Sequence, residues 1–552
     1  MSRPNPTVLF GFFVAVIVAM CGVSLAKGGL YLGKHEGDTL HFLQIMLRMA
    51  DGQWPHLDFM TPIGVLAVAP ISMFVALGYG AGTAILLSQL LVAVVLLPAV
   101  WWAAYSRMRG VVPYLFGFIV LVLVTALVYG ETEHSISISM HYNRWAWAIS
   151  FVAIALAVIP SKLPQRQGLD GVLIGLAMAA LLLMKVTYFA GFAVPVVVAM
   201  LLRKNFRTLL VSIATGVVVM GVLTLLAGVG FWQAYLGDLL TVSQSSIRPE
   251  PSANIRATIT GPAHMAGSVA LILAVVMLRN ARDSIGGVIL MLLVPGFFYV
   301  TYQNFANDPQ WLLMLGVILL SFSPESGNKN ALGWEMRTAI KVNAAIVLAL
   351  AAPSFLNLTF SPLRHYNLDV DTYSQLLPQS TVHTDLNVVS LRAYRVDARI
   401  AFAEKEFGLD AYAELSDRDD PAVLNGETLP YCEIELGLPI WFQTIVSDLD
   451  QAGLAEGKRI FAADLFSSHW LFGPLLPLKQ GAPWYYGGLP GIRSADYVLV
   501  PVCSVIPDLT RQILDAIDDA GITLTEVRRT PLYILLEPDF DGASTAVERT
   551  GN

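Results

Sequence analysis

The nineteen residues from Val8 to Ala26 carry no charge, and similar runs recur as far as residue 356. They lie at roughly 82–102, 112–130, 145–160, 171–184, 188–202, 208–228, 262–278, 285–301, 310–322 and 339–356. A bilayer core about 30 Å thick takes about 20 apolar residues as a helix, and backbone polar groups there must be satisfied within the segment. The chain is 55% hydrophobic and 14% charged, against about 25% charged in a soluble domain. From residue 357 onward the composition turns ordinary, with many Asp, Glu and Arg. The expectation is a polytopic α-helical membrane protein of about eleven transmembrane helices with a C-terminal soluble α/β domain. The division is 1–356, with a first external loop at 27–81, and 357–552. Ser24 and Ala26 are spaced like a signal-peptidase site, but the run before them is long for a signal sequence and reads as an uncleaved helix.

A twelfth run, Ile63–Leu77, decides the topology. If it does not span, the inside loops hold twelve Lys or Arg, among them Arg107, Arg109, Arg203 and Lys204. The outside loops before the soluble domain then hold seven. That is the bias expected of an oriented membrane protein. The run therefore reads as a juxtamembrane or re-entrant helix. Residues 357–552 fall outside, which is the periplasm if the membrane is a bacterial inner membrane. A net charge of −7 argues against nucleic acid as partner.

The external face then collects the polar chemistry. The first loop carries His35, Glu36, Asp38, Asp51, His56 and Asp58. Between its acidic clusters, Leu40–Ala50 has apolar residues at helical spacing and reads as an amphipathic helix in the interface plane. The same face carries Glu131-Thr132-Glu133-His134, His141-Tyr142-Asn143-Arg144, Lys185, the stretch from Gln244 through Arg248 to Arg256, and Gln303, Asn304 and Asp308. Ionisable groups beside hydrocarbon cost free energy, which makes them functional candidates by default.

These motifs resemble the GT-C superfamily of membrane glycosyltransferases. The likeness is to the branch holding protein O-mannosyltransferases and lipid A aminoarabinose transferases. The matching residues are Glu36-Gly37-Asp38, Gly52-Gln53-Trp54-Pro55-His56-Leu57-Asp58, Thr61-Pro62-Ile63-Gly64, Tyr142-Asn143-Arg144 and Lys185-Val186-Thr187, within residues 1 to about 320. Two departures stand out. The family's Pro-Pro pair is a single Pro62, and its adjacent acidic pair is split by Gly37, so which carboxylate is catalytic stays open.

The resemblance implies transfer of a sugar from a polyprenyl-phosphate carrier to an extracytoplasmic glycan, lipid or protein, with inversion. Asp38, or Glu36, would be the general base. Arg144, Lys185, His141 and Arg248 would meet the donor phosphate. Asp58, His56, Tyr142, Asn143, Gln303 and Asn304 would line the substrate site. A divalent metal, Mg²⁺ or Mn²⁺, stays an open candidate with Glu36, Asp38 and His35 as ligands, although neighbours in one loop are no specific metal signature.

Plainer readings stand beside these. Asp38-Thr39 fits a helix N-cap. Asp58 and His56 can brace a turn. His141, Tyr142 and Arg144 can anchor a helix at the interface. Lys185 can snorkel, and Gln303, Asn304 and Asp308 can close a loop. The alternative function is a transporter or flippase for a lipid-linked or polar substrate. It calls for polar sites at mid-bilayer depth and often an internal repeat. No repeat is clear, and the polar residues gather at one face. A non-catalytic scaffold or sensor would not need an acidic loop facing external cations.

In the C-terminal region, Arg459–Ala463, Tyr497–Pro501 and Tyr533–Leu536 read as buried strands and Asp508–Ala520 as a helix. Together they suggest a partly parallel α/β sheet. Trp484-Tyr485-Tyr486-Gly487-Gly488 reads as core or turn ahead of a sugar-stacking platform. Cys432 and Cys503 can pair in an oxidising compartment, but sequence does not show their proximity.

Overall fold

The computed structural model describes residues 3–130, 132–245, 255–304, 309–322, 324, 327–330, 332–401, 408 and 420–542. All eleven apolar runs are helical. Among the described residues, seven helices are long and apolar enough to cross a membrane: Pro6–Ala26, Ala81–Arg107, Gln167–Met184, Phe206–Ala227, Pro262–Asn280, Ser284–Gln303 and Met336–Tyr366. Three shorter apolar helices pack among them, Val112–Thr125, Val186–Leu202 and Gln310–Ser321. The eleventh, His141–Val158, is buried along its whole length. Exposed Leu, Val and Ile side chains on Phe206–Ala227 mark a lipid-facing surface.

Ile63–Leu77 does not span. It folds as a 3₁₀ turn, Val65–Ala67, and an eight-residue helix, Ala69–Ala76. At 1.5 Å per residue such a helix reaches only about 12 Å.

The first loop and the C-terminal region are built into each other. Strand Leu30–Leu32 runs parallel to Leu386–Val389, which also pairs antiparallel with Tyr373–Gln375. The Asp385 carboxylate accepts from the Gly82 and Thr83 amides at 3.0 and 2.7 Å, capping the helix that begins at Ala81. The loop and the C-terminal region therefore share one end of the bundle.

The amphipathic segment is helical from Glu36 to Ala50. It does not lie bare in the interface plane. Its polar face is buried under the C-terminal region. Gln44 donates to Ser468 Oγ and the Pro483 carbonyl, and Arg48 donates to the Leu478 carbonyl. The reason is chemical: that roof is lined with backbone carbonyls and hydroxyls, which satisfy a polar helix face away from water.

The C-terminal region holds a four-stranded sheet in the order Thr523–Arg529, Tyr533–Asp539, Tyr497–Pro501, Ile460–Ala462. Ile460–Ala462 and Tyr497–Pro501 are parallel and the other pairs antiparallel. Helices Leu438–Gln451 and Pro507–Asp519 accompany it. Cys432 and Cys503 form a disulfide with Cα atoms 4.5 Å apart.

Candidate active site at the mouth of the bundle

His35 adopts a left-handed conformation, φ 65°, and caps the Glu36–Ala50 helix. This turn puts Glu36 and Asp38 in the first helical turn, where the helix dipole favours negative charge. The two carboxylates then part company. Glu36 is buried, and its two oxygens lie 3.1 and 3.0 Å from Arg392 Nε. Asp38 is half-buried, and its Oδ2 accepts from Ser139 Oγ at 2.5 Å.

Asp38 lines a small cavity of about 30 Å³ with His41, Phe42, Ile63, Ile138, Met140, Tyr142, Trp484 and Tyr486. The wall is drawn from the first loop, the start of the His141–Val158 helix and the C-terminal region. Lys185 Nζ sits 5.3 Å from the Tyr142 ring centroid. Asp38, Tyr142 and Lys185 thus form a chain of neighbours. Lys185 lies in extended backbone at the break between Gln167–Met184 and Val186–Leu202. Gly64 makes the approach to that break. A Cβ there would lie 2.2 Å from the Leu183 carbonyl oxygen, while the Gly64 amide donates to the Met184 carbonyl at 3.2 Å. Gly37 plays a similar part, because its Cβ would lie 2.9 Å from the Phe466 ring.

The other expected residues have these places. His141 is buried, with Nδ1 3.3 Å from the Ile138 carbonyl and Nε2 3.3 Å from the Ala67 carbonyl. Arg144 is buried and donates to the Val128 and Ala126 carbonyls at 2.6 and 2.9 Å. Those carbonyls follow the end of the Val112–Thr125 helix, where unsatisfied acceptors and the dipole attract a cation. Both groups therefore hold backbone together beside the cavity. Asn143 Nδ2 lies 3.7 Å from Met140 Sδ. Asn304 ties to Thr187 Oγ1 and the Val300 carbonyl, which joins the Ser284–Gln303 helix to the Lys185 break. Gln303 is half-buried at the end of that helix. Asp58 accepts from the Trp54 amide at 2.6 Å and braces its own turn. His56 Nδ1 lies 2.8 Å from Asp238 Oδ2, away from Asp38's cavity. Glu131, Arg248 and Asp308 lie outside the described residues.

The metal reading finds no convergent ligand set here. His35 Nδ1 lies 2.9 Å from Ser137 Oγ, Glu36 faces Arg392, and Asp38 faces Ser139. Among the described residues no three His, Cys, Asp or Glu side chains are grouped to hold an ion. Burial holds the His35 imidazole below its ordinary pKa, with smaller effects from Asp38 and Lys34.

Several site residues were not singled out from sequence. Ser137 and Ser139 belong to Ser135-Ile136-Ser137-Ile138-Ser139, whose strict alternation is a readable signal of an extended segment with one polar face. Arg392 and Asp238 have no local signal, since their partners are distant in the chain. The aromatic patch is buried at Tyr485 and Tyr486, as the core reading expects, and Trp484 and Tyr486 also line the cavity.

No protein-family model and no curated protein matches the chain. Among solved structures it is similar to ArnT from Cupriavidus metallidurans bound to undecaprenyl phosphate, at 12% identity and TM-score 0.42 over 96% of this chain and 98% of that one. The apo state of the same protein gives 13% identity and TM-score 0.37 over the same shares.

Proposed function

We propose that the protein is an integral-membrane glycosyltransferase that moves a sugar from a polyprenyl-phosphate carrier to an extracytoplasmic acceptor. The observation that carries this reading is the position of Asp38, in a cavity at the bundle mouth with Lys185 beyond Tyr142. A long apolar carrier reaches such a mouth from the bilayer, and an acceptor reaches it from water.

In this reading the free Asp38 oxygen takes the proton from an acceptor hydroxyl or amine. The acceptor atom attacks the anomeric carbon, and the bond from that carbon to the carrier phosphate breaks. Attack opposite the leaving group inverts the centre. Ser139 fixes the carboxylate, and Lys185 offsets charge developing on the phosphate. The membrane is the bacterial inner membrane, with residues 357–552 in the periplasm.

Purified protein assayed with a panel of polyprenyl-phosphate sugars and candidate acceptors tests the proposal. Transfer that is abolished by Asp38→Asn supports it. Absence of transfer from every donor, or full activity in Asp38→Asn, ends it.

A further inference from the structure

A cavity of about 370 Å³ lies at the end of the bundle opposite Asp38. Arg107 lines it and ends the helix that starts at Ala81, beside the Asp385 cap. That helix has 27 residues, so its two ends stand about 40 Å apart. The wall is drawn from helix ends: Arg107, Ile159, Asp170, the turn Arg203-Lys204-Asn205, and Ile285.

The turn joins Val186–Leu202 to Phe206–Ala227. Lys204 holds a left-handed backbone there, φ 56°, a conformation disfavoured for a residue with a Cβ. Arg203 is half-buried and Lys204 exposed, and both line the cavity. Gln165 is exposed, lines it too, and donates to Asn205 Oδ1 at 3.5 Å.

Further cations gather at the rim. Arg3 and Arg109 both donate to the Lys162 carbonyl, at 3.3 and 3.0 Å, so two guanidinium groups share one acceptor. Burial, and then the charges of Arg109 and Arg203, hold the Lys162 ammonium below its ordinary pKa, with Asp283 opposing. The two carboxylates nearby are engaged. Asp170 accepts from Arg107 and Trp102, each at 2.7 Å, and Asp283 accepts from the Gly286 amide at 2.8 Å. Like charges gathered in this way repel, and a bound anion offsets the repulsion.

The rest of the wall is apolar, with Leu156, Met200, Leu202 and Ile285. Thr208 lines the cavity from the start of Phe206–Ala227, while Phe206 and Leu210 of that helix are exposed on its lipid-facing surface. A phosphate held here has hydrocarbon beside it. Free phosphate shares the charge, but the adjoining lipid face favours a phosphate that carries acyl chains.

We propose that this cavity binds the phosphate headgroup of an anionic phospholipid from the leaflet opposite Asp38. Lys204 and Arg203 meet the phosphate oxygens, Gln165 and Asn205 hydrogen-bond the rest of the headgroup, and the acyl chains run along Phe206–Ala227. Basic pockets between transmembrane helices suit such headgroups. The site needs neither donor nor acceptor and stands apart from the transferase reading.

The test is native mass spectrometry of the full-length protein released from micelles that hold phosphatidylglycerol and phosphatidylcholine in equal amounts. A separate arm adds inorganic phosphate. Phosphatidylglycerol is expected to be retained at least about fivefold over phosphatidylcholine, and inorganic phosphate is not expected to displace it. Arg203→Gln with Lys204→Gln removes two charges and should weaken phosphatidylglycerol binding about 30-fold. Gln165→Glu places an anion on an exposed side chain of the wall and should weaken it about fivefold. Arg279→Gln removes an exposed cation at the same end that does not line the cavity, and should leave binding unaltered. Equal retention of the two lipids, full retention in Gln165→Glu, or a loss in Arg279→Gln as large as in the double variant overturns the proposal. Displacement by inorganic phosphate overturns the lipid assignment and gives the site to a free phosphate. If the double variant does not fold, Gln165→Glu decides alone.

Discussion

Arg392 Nε lies within 3.1 Å of both carboxylate oxygens of Glu36, two residues before Asp38 on the same helical turn. The contact assigns the two acids different work. Glu36 fastens the first loop to the C-terminal region, and Asp38 is left at the cavity. Asp38→Asn is expected to lower turnover by about 10²–10⁴ with unchanged protein level, the usual share of a general base. Glu36→Gln and Arg392→Ala should instead make the C-terminal region more sensitive to limited proteolysis while retaining measurable transfer. An inactive Glu36→Gln beside an active Asp38→Asn would exchange the roles.

Lys185 depends on Gly64 for its surroundings. A methyl group at residue 64 would sit 2.2 Å from the Leu183 carbonyl and push the Thr61–Gly64 segment off the helix break. Gly64→Ala should cost about 1–3 kcal/mol, the usual range for overpacking. A lowered melting temperature in detergent checks this. Lys185→Ala should raise KM for the donor more than KM for the acceptor. An equal effect on both would place Lys185 outside the donor site.

The disulfide between Cys432 and Cys503 closes a stretch with a sequence separation of 71 residues. Chain-entropy bookkeeping gives such a loop about 4 kcal/mol of stabilisation. Cys432→Ser with Cys503→Ser should therefore destabilise the C-terminal region while the helical content of the bundle stays unchanged by circular dichroism. Unchanged proteolytic stability of residues 420–542 would contradict it.

Asp464 is buried beside the start of the Pro507–Asp519 helix. It accepts from the amides of Leu465, Val505 and Ile506. Burial nevertheless pushes its carboxyl up to about 6. Between about pH 4 and pH 6 the folded protein keeps a proton that the unfolded chain has released. This group's contribution to stability therefore falls as pH rises through that window, by on the order of 3 kcal/mol. Above pH 6 nothing further is lost. Denaturation curves across pH 4–7 should show the decline in wild type relative to Asp464→Asn. A difference of opposite sign would refute the shift.

The helices were legible in the sequence because a bilayer demands long apolar runs, and Ile63–Leu77 imitates one without spanning. Charge bias around Ile63–Leu77 was equally informative, since an eight-residue helix has no periodic signature of its own. The site was legible only in part. Asp38 stood out as an acid in an apolar setting, but Ser139, Trp484 and Tyr486 reach it from 101 to 448 positions away. Arg144 and His141 drew attention as polar groups beside hydrocarbon. Their partners are backbone carbonyls, an acceptor every residue carries and no composition reveals. The interfacial helix had the right period, but its polar stripe faces a protein roof, and nothing local distinguishes such a roof from water.

The pairing of Leu30–Leu32 with Leu386–Val388 has a consequence for biogenesis. The ribosome makes the first of these strands more than 350 residues before its partner. At about 5–20 residues per second, the early strand waits on the order of tens of seconds. During that interval the helices insert around an unfinished mouth. The face that carries Asp38 is thus completed last, after the final helix, Met336–Tyr366, has been made, and a chain halted before residue 386 leaves Leu30–Leu32 without its partner strand.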